Sequence, residues 1–435
     1  MLAAMPATTP PTGANPHGQA VRERGDACPG ALRLHAADDG RLARLRLPGG
    51  LLTPHQAMAL ADAAERLGDG GIDLTSRGNV QLRGLCDAGA GPLAEALHAV
   101  GLLPSERHER ARNIVASPLA GEDQHPFADV RLWVRALDAL ICGSGTAAGL
   151  SGRFLFALDD GRGDVAGLGA DVTLLAEPAG ATALLRVGGD RLRVPHADGP
   201  RAALAAAEAF LGAAAASGAW RVRELPEGHD LSARLAAALA VAGVTAWPAQ
   251  QGGPEPQGGS DPQGGPPALG VIRPPGQVRA AVSVQPRLGR ATAAQWRLLA
   301  SAGGDDGEGD GGGDGDGLRI TPWRGIVVPG LTPGAADELL ARAAAAGLVT
   351  SADSPWYGVG ACTGRPGCGK ALADVRADAA ASLGAHAPGL PVYFSGCARR
   401  CGHPQGRYVD KVATAGGTYT TTTTTTTTGT GTGTG

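Results

Sequence analysis

The alternation of apolar and polar residues is clearest in LTSRGNVQLRG, residues 74–84. Leu74, Val80 and Leu82 share one parity, and Thr75, Arg77, Asn79, Gln81 and Arg83 share the other. Successive strand side chains point to opposite faces, so the pattern predicts one β-strand with an apolar inner face and a polar outer one. Two arginines and two amides are an unusual outer face. The planar guanidinium fork suits pairs of hydrogen bonds to carboxylates, so the polar face predicts an anionic ligand.

A helix is predicted before this strand, over 52–68, with Thr53 as N-cap, Pro54 in the first turn, apolar Leu60, Ala64 and Leu67, and Gly68 as the stop. Another follows it over 91–103. The same order returns in the second half. In the helix over 291–304, Thr292 and Gln295 echo Thr53 and Gln56. In the strand LRITPWRGIVVPGL, Thr321 and Arg324 echo Thr75 and Arg77. The next helix ends at Gly347-Leu348, as the earlier one ends at Gly101-Leu102. This predicts an α+β protein built from duplicated units related by a pseudo-two-fold axis. The two arginine-bearing strands would face one shared cleft.

Three low-complexity stretches interrupt the pattern: a Pro/Gly/Gln linker (249–267), an acidic Gly-rich insertion (303–317) and a Thr/Gly tail (418–435). The chain has 435 residues, enough for several domains, and a net charge of −3. The insertion alone holds six acids, so the rest carries about +3 (−3 plus 6). With no block of Lys or Arg, neither nucleic acid nor a membrane is an expected partner. No apolar run approaches the ~18 residues of a membrane span. Residues 1–21 read as a disordered lead without a signal-peptide core, so the expected location is the cytoplasm.

Of seven cysteines, Cys362, Cys368, Cys397 and Cys401 fall within forty residues, as C-x5-C and C-x3-C. Four such thiols point to a structural zinc or an iron–sulfur cluster. Zinc knuckles and thiol redox pairs favour two-residue gaps. Wider Gly- and Pro-rich loops suit a bulky cubane, so the spacing favours a cluster. Cys28, outside this group, reads as a structural thiol.

This C-x5-C…C-x3-C arrangement resembles that of the sirohaem-dependent sulfite and nitrite reductases and their relatives. LTSRGNVQLRG and RARNIVASPLAG (110–121) resemble two further segments of that superfamily. ACPGALRL, GRFLFALDDGRGDV (152–165), TPWRGIVVPGL and FSGCARRCGHP resemble its precorrin-3B synthase branch, of aerobic cobalamin biosynthesis. Where the reductases carry two lysines for an inorganic anion, this chain has Arg153-Phe154-Leu155.

The resemblance implies duplicated ferredoxin-like half-domains (22–120 and 268–350), an α/β domain (121–248) and a cluster-binding domain (351–417). It also implies a 4Fe–4S cluster on Cys362, Cys368, Cys397 and Cys401. Precorrin-3A is the implied substrate, held through its carboxylates by Arg77, Asn79, Gln81, Arg83, Arg112 and Arg324. The implied reaction uses O2, with NADH as electron source, to hydroxylate the ring and close a γ-lactone at a mononuclear non-haem iron. No dinucleotide-binding G-x-G-x-x-G turn follows a strand, so electrons are expected through a separate reductase. No compact motif supplies the iron's ligands, and His35, His98, His108, His125 and His403 are the candidates. Two alternatives remain: a sirohaem-containing reductase, and a non-catalytic tetrapyrrole or electron carrier.

Overall fold

The computed structural model describes residues 28–424 apart from 124–127, 179, 250–264, 275, 277, 304–316, 385–388 and 405. The expected N-terminal lead, His125 and nearly all of the linker and the acidic insertion lie outside these residues.

Two five-stranded antiparallel sheets form the duplicated core. The first runs His35–Ala37, Gly40–Leu45, Val80–Leu85, Gly71–Leu74 and, last, Arg290–Thr292. The second runs Gly270–Ile272, Ala280–Val284, Ile326–Leu331, Leu318–Ile320 and, last, Leu51–Leu52. Each sheet is therefore completed by a short strand from the other half. Helix Pro54–Leu67 packs on helix Ala293–Ala300, and one hydrophobic core, including Ile72, Leu82, Val282, Trp296 and Ile320, runs through both halves.

The echo between Thr53/Gln56 and Thr292/Gln295 is a pair of capping boxes. Each threonine accepts from the glutamine's backbone N–H, and each glutamine side chain returns the bond. The amide ends reach further, from Gln56 to the Val100 carbonyl (3.0 Å) and from Gln295 to the Ala346 carbonyl (2.8 Å). Each box thus ties the start of one helix to the end of the next.

Segment 74–84 is a hairpin and not the single strand that its alternation predicts. Leu74 pairs with Val80, and Thr75–Asn79 turn the chain between them. Thr75 Oγ1 accepts from the N–H groups of Arg77 (3.3 Å) and Asn79 (3.1 Å), and Gly78 takes φ 65°, a value glycine adopts without strain. Arg77 therefore sits at a loop tip. The matching turn shows which residues correspond: Thr321 N–H bonds Gly325 as Thr75 N–H bonds Asn79, and Arg324 takes φ 58°. Arg324 is thus the counterpart of Gly78, and Trp323 that of Arg77.

A six-stranded sheet forms the α/β domain, in the order Trp247–Pro248, Asp190–Pro195, Thr182–Val187, Val172–Ala176, Phe156–Asp159 and Ile114–Ala116. Its last three strands are parallel, and Ile114–Ala116, expected in the first half-domain, belongs here. The fourth sheet runs Val359–Ala361, Val392–Ser395, Tyr408–Ala413 and Tyr419–Thr424, the first three parallel. Tyr419–Thr424 falls in the expected tail, yet it pairs along Tyr408–Ala413 because Tyr419 anchors it. That ring meets Phe394 edge-on (5.5 Å), and its hydroxyl donates to Asp378 (2.5 Å). β-branched threonine suits the extended backbone beyond.

Equivalent strand positions fasten the two halves to different domains. Asp73 pairs with Arg290 (2.8 Å) and with Arg376 of helix Val375–Ala381 (2.7 Å). Its counterpart Arg319 donates to the Pro118 and Ala120 carbonyls (both 2.9 Å) and to Glu122 (2.6 Å). Asn79, 1% exposed, accepts from the Leu47 N–H (2.9 Å) and donates to Asn113 (2.9 Å), which donates to the Phe154 carbonyl (2.9 Å).

Asn79→Ala should destabilise the fold by about 2–4 kcal/mol, because it leaves both the Leu47 N–H and the Asn113 carbonyl buried without a partner. Urea unfolding is the measurement. A change within ~0.5 kcal/mol, typical of a solvated surface position, would contradict the buried network.

Candidate functional site

The four cysteines of the two spaced pairs stand on loops that leave neighbouring parallel strands at their carboxyl ends, where such sheets place ligands. Cys362 follows Ala361 directly, and its N–H bonds the Phe394 carbonyl (3.0 Å). Cys397 lies two residues beyond Ser395. The loops are tied together: Leu372 N–H bonds the Gly396 carbonyl (2.7 Å), and Gly396 N–H donates to Cys362 Sγ (3.1 Å). Burial pushes the Cys401 thiol up; Arg399 opposes this, and Cys362, Cys397 and Cys368 add to it, so the four sulfurs share one locality. Among the described residues no three of them lie within 4.8 Å of one another. Tetrahedral zinc needs sulfurs about 3.8 Å apart at its usual Zn–S length, so the donor set fits a broader metal group better.

One arginine from each half-domain braces each cysteine loop. Arg83 makes a two-pronged pair with Asp39 (2.8 Å twice) and also donates to the Gly367 carbonyl (2.8 Å). Arg324 donates to the Gly402 carbonyl and lies over the Tyr393 ring (5.4 Å). Tyr393 in turn donates to the Cys401 carbonyl (2.8 Å). Gly402 has φ 76°, and a Cβ there would stand 2.6 Å from the Arg324 guanidinium, so the position requires glycine.

The residues expected to grip carboxylates therefore divide. Asn79 belongs to the buried network described above. Gln81 accepts twice from Arg44 (3.1 and 2.6 Å). Arg112 is forked onto Asp138 (2.7 Å twice) and bonds the Leu102 carbonyl (2.9 Å). Arg83 and Arg324 hold loops. Arg77 differs: among the described residues its guanidinium bonds only the Gly152 carbonyl (3.3 Å). Burial first, then the nearby Arg221 and Arg44, push its pKa down to about 10, against the opposing effect of Cys28 and Asp171.

Arg77 opens onto a cleft of about 180 Å³ between the first half-domain, the α/β domain and the second cysteine loop. Arg221, Arg223, His403 and Gly402 share this lining. Arg221 is paired with Asp171 (2.5 Å), whereas Arg223 is exposed and has no side-chain partner among the described residues. Leu155 and Leu168 add an apolar patch to a lining that is otherwise mostly polar, and they pack with Val115, Ala157, Val165 and Trp323. Cations beside a small apolar patch suit an acidic molecule that also carries some apolar surface. Sequence reasoning missed Arg221 and Arg223. Their spacing in RVRE (221–224) is a weak signal until the fold brings it to the cleft.

Of the candidate histidines among the described residues, only His403 lines the cleft. His35 and His98 are exposed, and His108 is held by Ser105 (2.7 Å) and the Ser144 carbonyl (2.8 Å). Among the described residues the one group of three potential ligands within 4.8 Å is Asp159, Asp160 and Asp164, which contains no histidine. Arg162 and backbone N–H groups satisfy it. A two-histidine, one-carboxylate iron site therefore does not fit these residues. Cys28 lies near enough to Arg44 and Arg77 to bear on both guanidinium groups.

Comparison with known proteins agrees with this architecture. Residues 35–100 match the nitrite/sulfite reductase ferredoxin-like half domain. The NirA protein of Mycobacterium tuberculosis superimposes with a TM-score of 0.66 at 20% identity, over 88% of this chain and 73% of that one. The chain thus has the duplicated α+β fold of the nitrite/sulfite reductase superfamily. Within it, a precorrin-3B synthase from Sinorhizobium sp is 40% identical over 114 residues, 26% of this chain and 24% of that protein. A ferredoxin–nitrite reductase from Synechococcus elongatus is 40% identical over 127 residues, 28% of this chain and 25% of that protein. These matches span about a quarter of each relative. No helix among the described residues is long and apolar enough to cross a membrane.

The carboxylate trio generates a pH prediction. Burial first, then Asp159, holds Asp164 well above the usual carboxylate range. The folded chain keeps a proton there that the unfolded chain releases near pH 4. The resulting stability is full below that value and is lost as pH rises through the elevated folded value. Unfolding midpoints should fall between pH 5 and 8, and Asp164→Asn should flatten that slope. An equally steep slope in the variant would place the titration elsewhere.

Proposed function

We propose that this chain is an oxidoreductase acting on a free, carboxylate-bearing tetrapyrrole, and specifically a precorrin-3B synthase. The reaction is hydroxylation of precorrin-3A by O2 and a reductant, NADH in the first instance, with closure of a γ-lactone. The observation that carries the reading is Arg77, a half-buried cation without a carboxylate partner, on the lining of a cleft that it shares with Arg221 and Arg223. A macrocycle ringed by acetates and propionates offers the complement: a flat face for Leu155 and Leu168, and carboxylates for Arg77, Arg221 and Arg223. Arg83, Arg112 and Arg324, with their internal partners, support the site from behind.

Cys362, Cys368, Cys397 and Cys401 would hold a 4Fe–4S cluster, which supplies one-electron transfer when bound. The chain's own residues bring the second cysteine loop to the cleft, since Gly402 and His403, which follow Cys401 directly, line it. No step is assigned to a mononuclear iron, because the described residues offer it no ligand set. Leu155 separates this reading from the sirohaem-dependent reductase. It stands where the resemblance implies a lysine, and it presents a hydrocarbon to the cleft. At that position a small inorganic anion would find a hydrocarbon in place of the ammonium group.

Three measurements test the proposal. Under 18O2 with a reductant, precorrin-3A should gain one labelled oxygen, while methyl-viologen-driven sulfite and nitrite reduction should be absent. Sulfite turnover by a sirohaem-containing preparation would establish the reductase, and binding without turnover a carrier. Arg77→Ala should weaken tetrapyrrole binding by about 1.5–3 kcal/mol, the worth of a charge-assisted hydrogen bond. Anaerobic preparation should give about four irons and four sulfides per chain. Cys401→Ser should lose them, and Cys86→Ser should keep them. Stoichiometric zinc without sulfide would refute the cluster.

A further inference from the structure

We propose that the Ser395 hydroxyl donates a hydrogen bond to a sulfur of the metal cluster and so sets its reduction potential; this rests on the cluster reading above. Ser395 ends strand Val392–Ser395. Val392 and Phe394 belong to the small core with Val375 and Ala379. Alternation turns Tyr393 and Ser395 to the opposite face. Tyr393 on that face holds the Cys401 carbonyl (2.8 Å). Asp410, paired with Tyr393 across the neighbouring parallel strand, holds Arg400 (2.5 Å). Both contacts reach into the loop between Cys397 and Cys401, so this loop folds across the face that carries Ser395.

Ser395 is 0% exposed, and its Oγ has no hydrogen-bond partner among the described residues. A buried hydroxyl without a partner is destabilising, and the position would accept an apolar residue if only packing mattered. The next residue already addresses a ligand sulfur, through Gly396 N–H to Cys362 Sγ (3.1 Å). A hydroxyl one residue earlier, on the face that the cysteine loop covers, is placed to do the same. Reduction adds negative charge to the sulfurs, so a donor stabilises the reduced cluster and raises its potential.

The test compares Ser395→Val with Ser395→Thr in the full chain, reconstituted anaerobically with iron and sulfide. The pair differs by the hydroxyl at nearly constant volume. Iron and sulfide per chain are measured first, then the potential by redox titration followed by electron paramagnetic resonance. The valine variant should titrate at a more negative potential than wild type, and threonine should restore the wild-type value. Loss of the cluster in valine but not in threonine would likewise assign the hydroxyl to it. A valine variant with the wild-type potential, or cluster loss in both variants, would overturn the proposal. Wild-type chain that takes up neither iron nor sulfide would overturn the underlying cluster reading, at a step that precedes any potential.

Discussion

The exchange of edge strands between the halves is the constraint on which the remaining geometry depends. Leu51–Leu52 closes the sheet of the second half, and Arg290–Thr292 closes that of the first. Each exchanged strand runs straight into a capping-box helix, and those two helices meet, with Trp296 donating to the Ala57 carbonyl (2.9 Å). A half-domain alone would expose an unpaired strand edge and half of a common core. The exchange therefore fixes the mutual orientation of the halves. The two tight turns at Thr75–Asn79 and Thr321–Gly325 then come to the same side of the molecule, beside the cleft and the cysteine loops.

With the backbone symmetry fixed in this way, side chains at equivalent positions are free to differ. Asp73 and Arg319 occupy matching strand positions with opposite charge, and each binds the domain that its own half meets. At the turns, Arg77 faces the cleft while Trp323 packs beneath it. Gly78 is a simple reversal, whereas Arg324 adopts the same left-handed backbone and sends its guanidinium to Gly402. A duplicated scaffold has thus been turned into an asymmetric site, one side presenting charge to the cleft and the other holding the cysteine loop.

Buried charge explains how the arginines are distributed. A guanidinium withdrawn from water is costly unless its donors are met. Arg83, Arg112 and Arg221 meet theirs with carboxylates and backbone carbonyls. Arg77 stands apart because, among the described residues, its guanidinium has only a backbone carbonyl as hydrogen-bond partner, with Arg221 and Arg44 near it. A ligand carboxylate would relieve that imbalance, and this makes Arg77 the most informative side chain of the cleft.

Much of this was legible in the sequence. Thr53 with Gln56 and Thr292 with Gln295 are local signals, since a cap needs only residues three apart, and they revealed the duplication. The cysteine spacing was likewise readable from two short segments. Three-dimensional structure alone decided which arginine is available. Parity placed Arg77, Asn79, Gln81, Arg83 and the rest on one face, but hydrogen-bond partners such as Asp39, Asp138 and Gly402 lie far away in the chain. The turn at Gly78 was hidden by an alternation that continues across it, and the strand at Tyr419 by its low-complexity surroundings. Local chemistry sets which elements form; which charges remain unmet depends on contacts between distant segments, and those exist only in the folded chain.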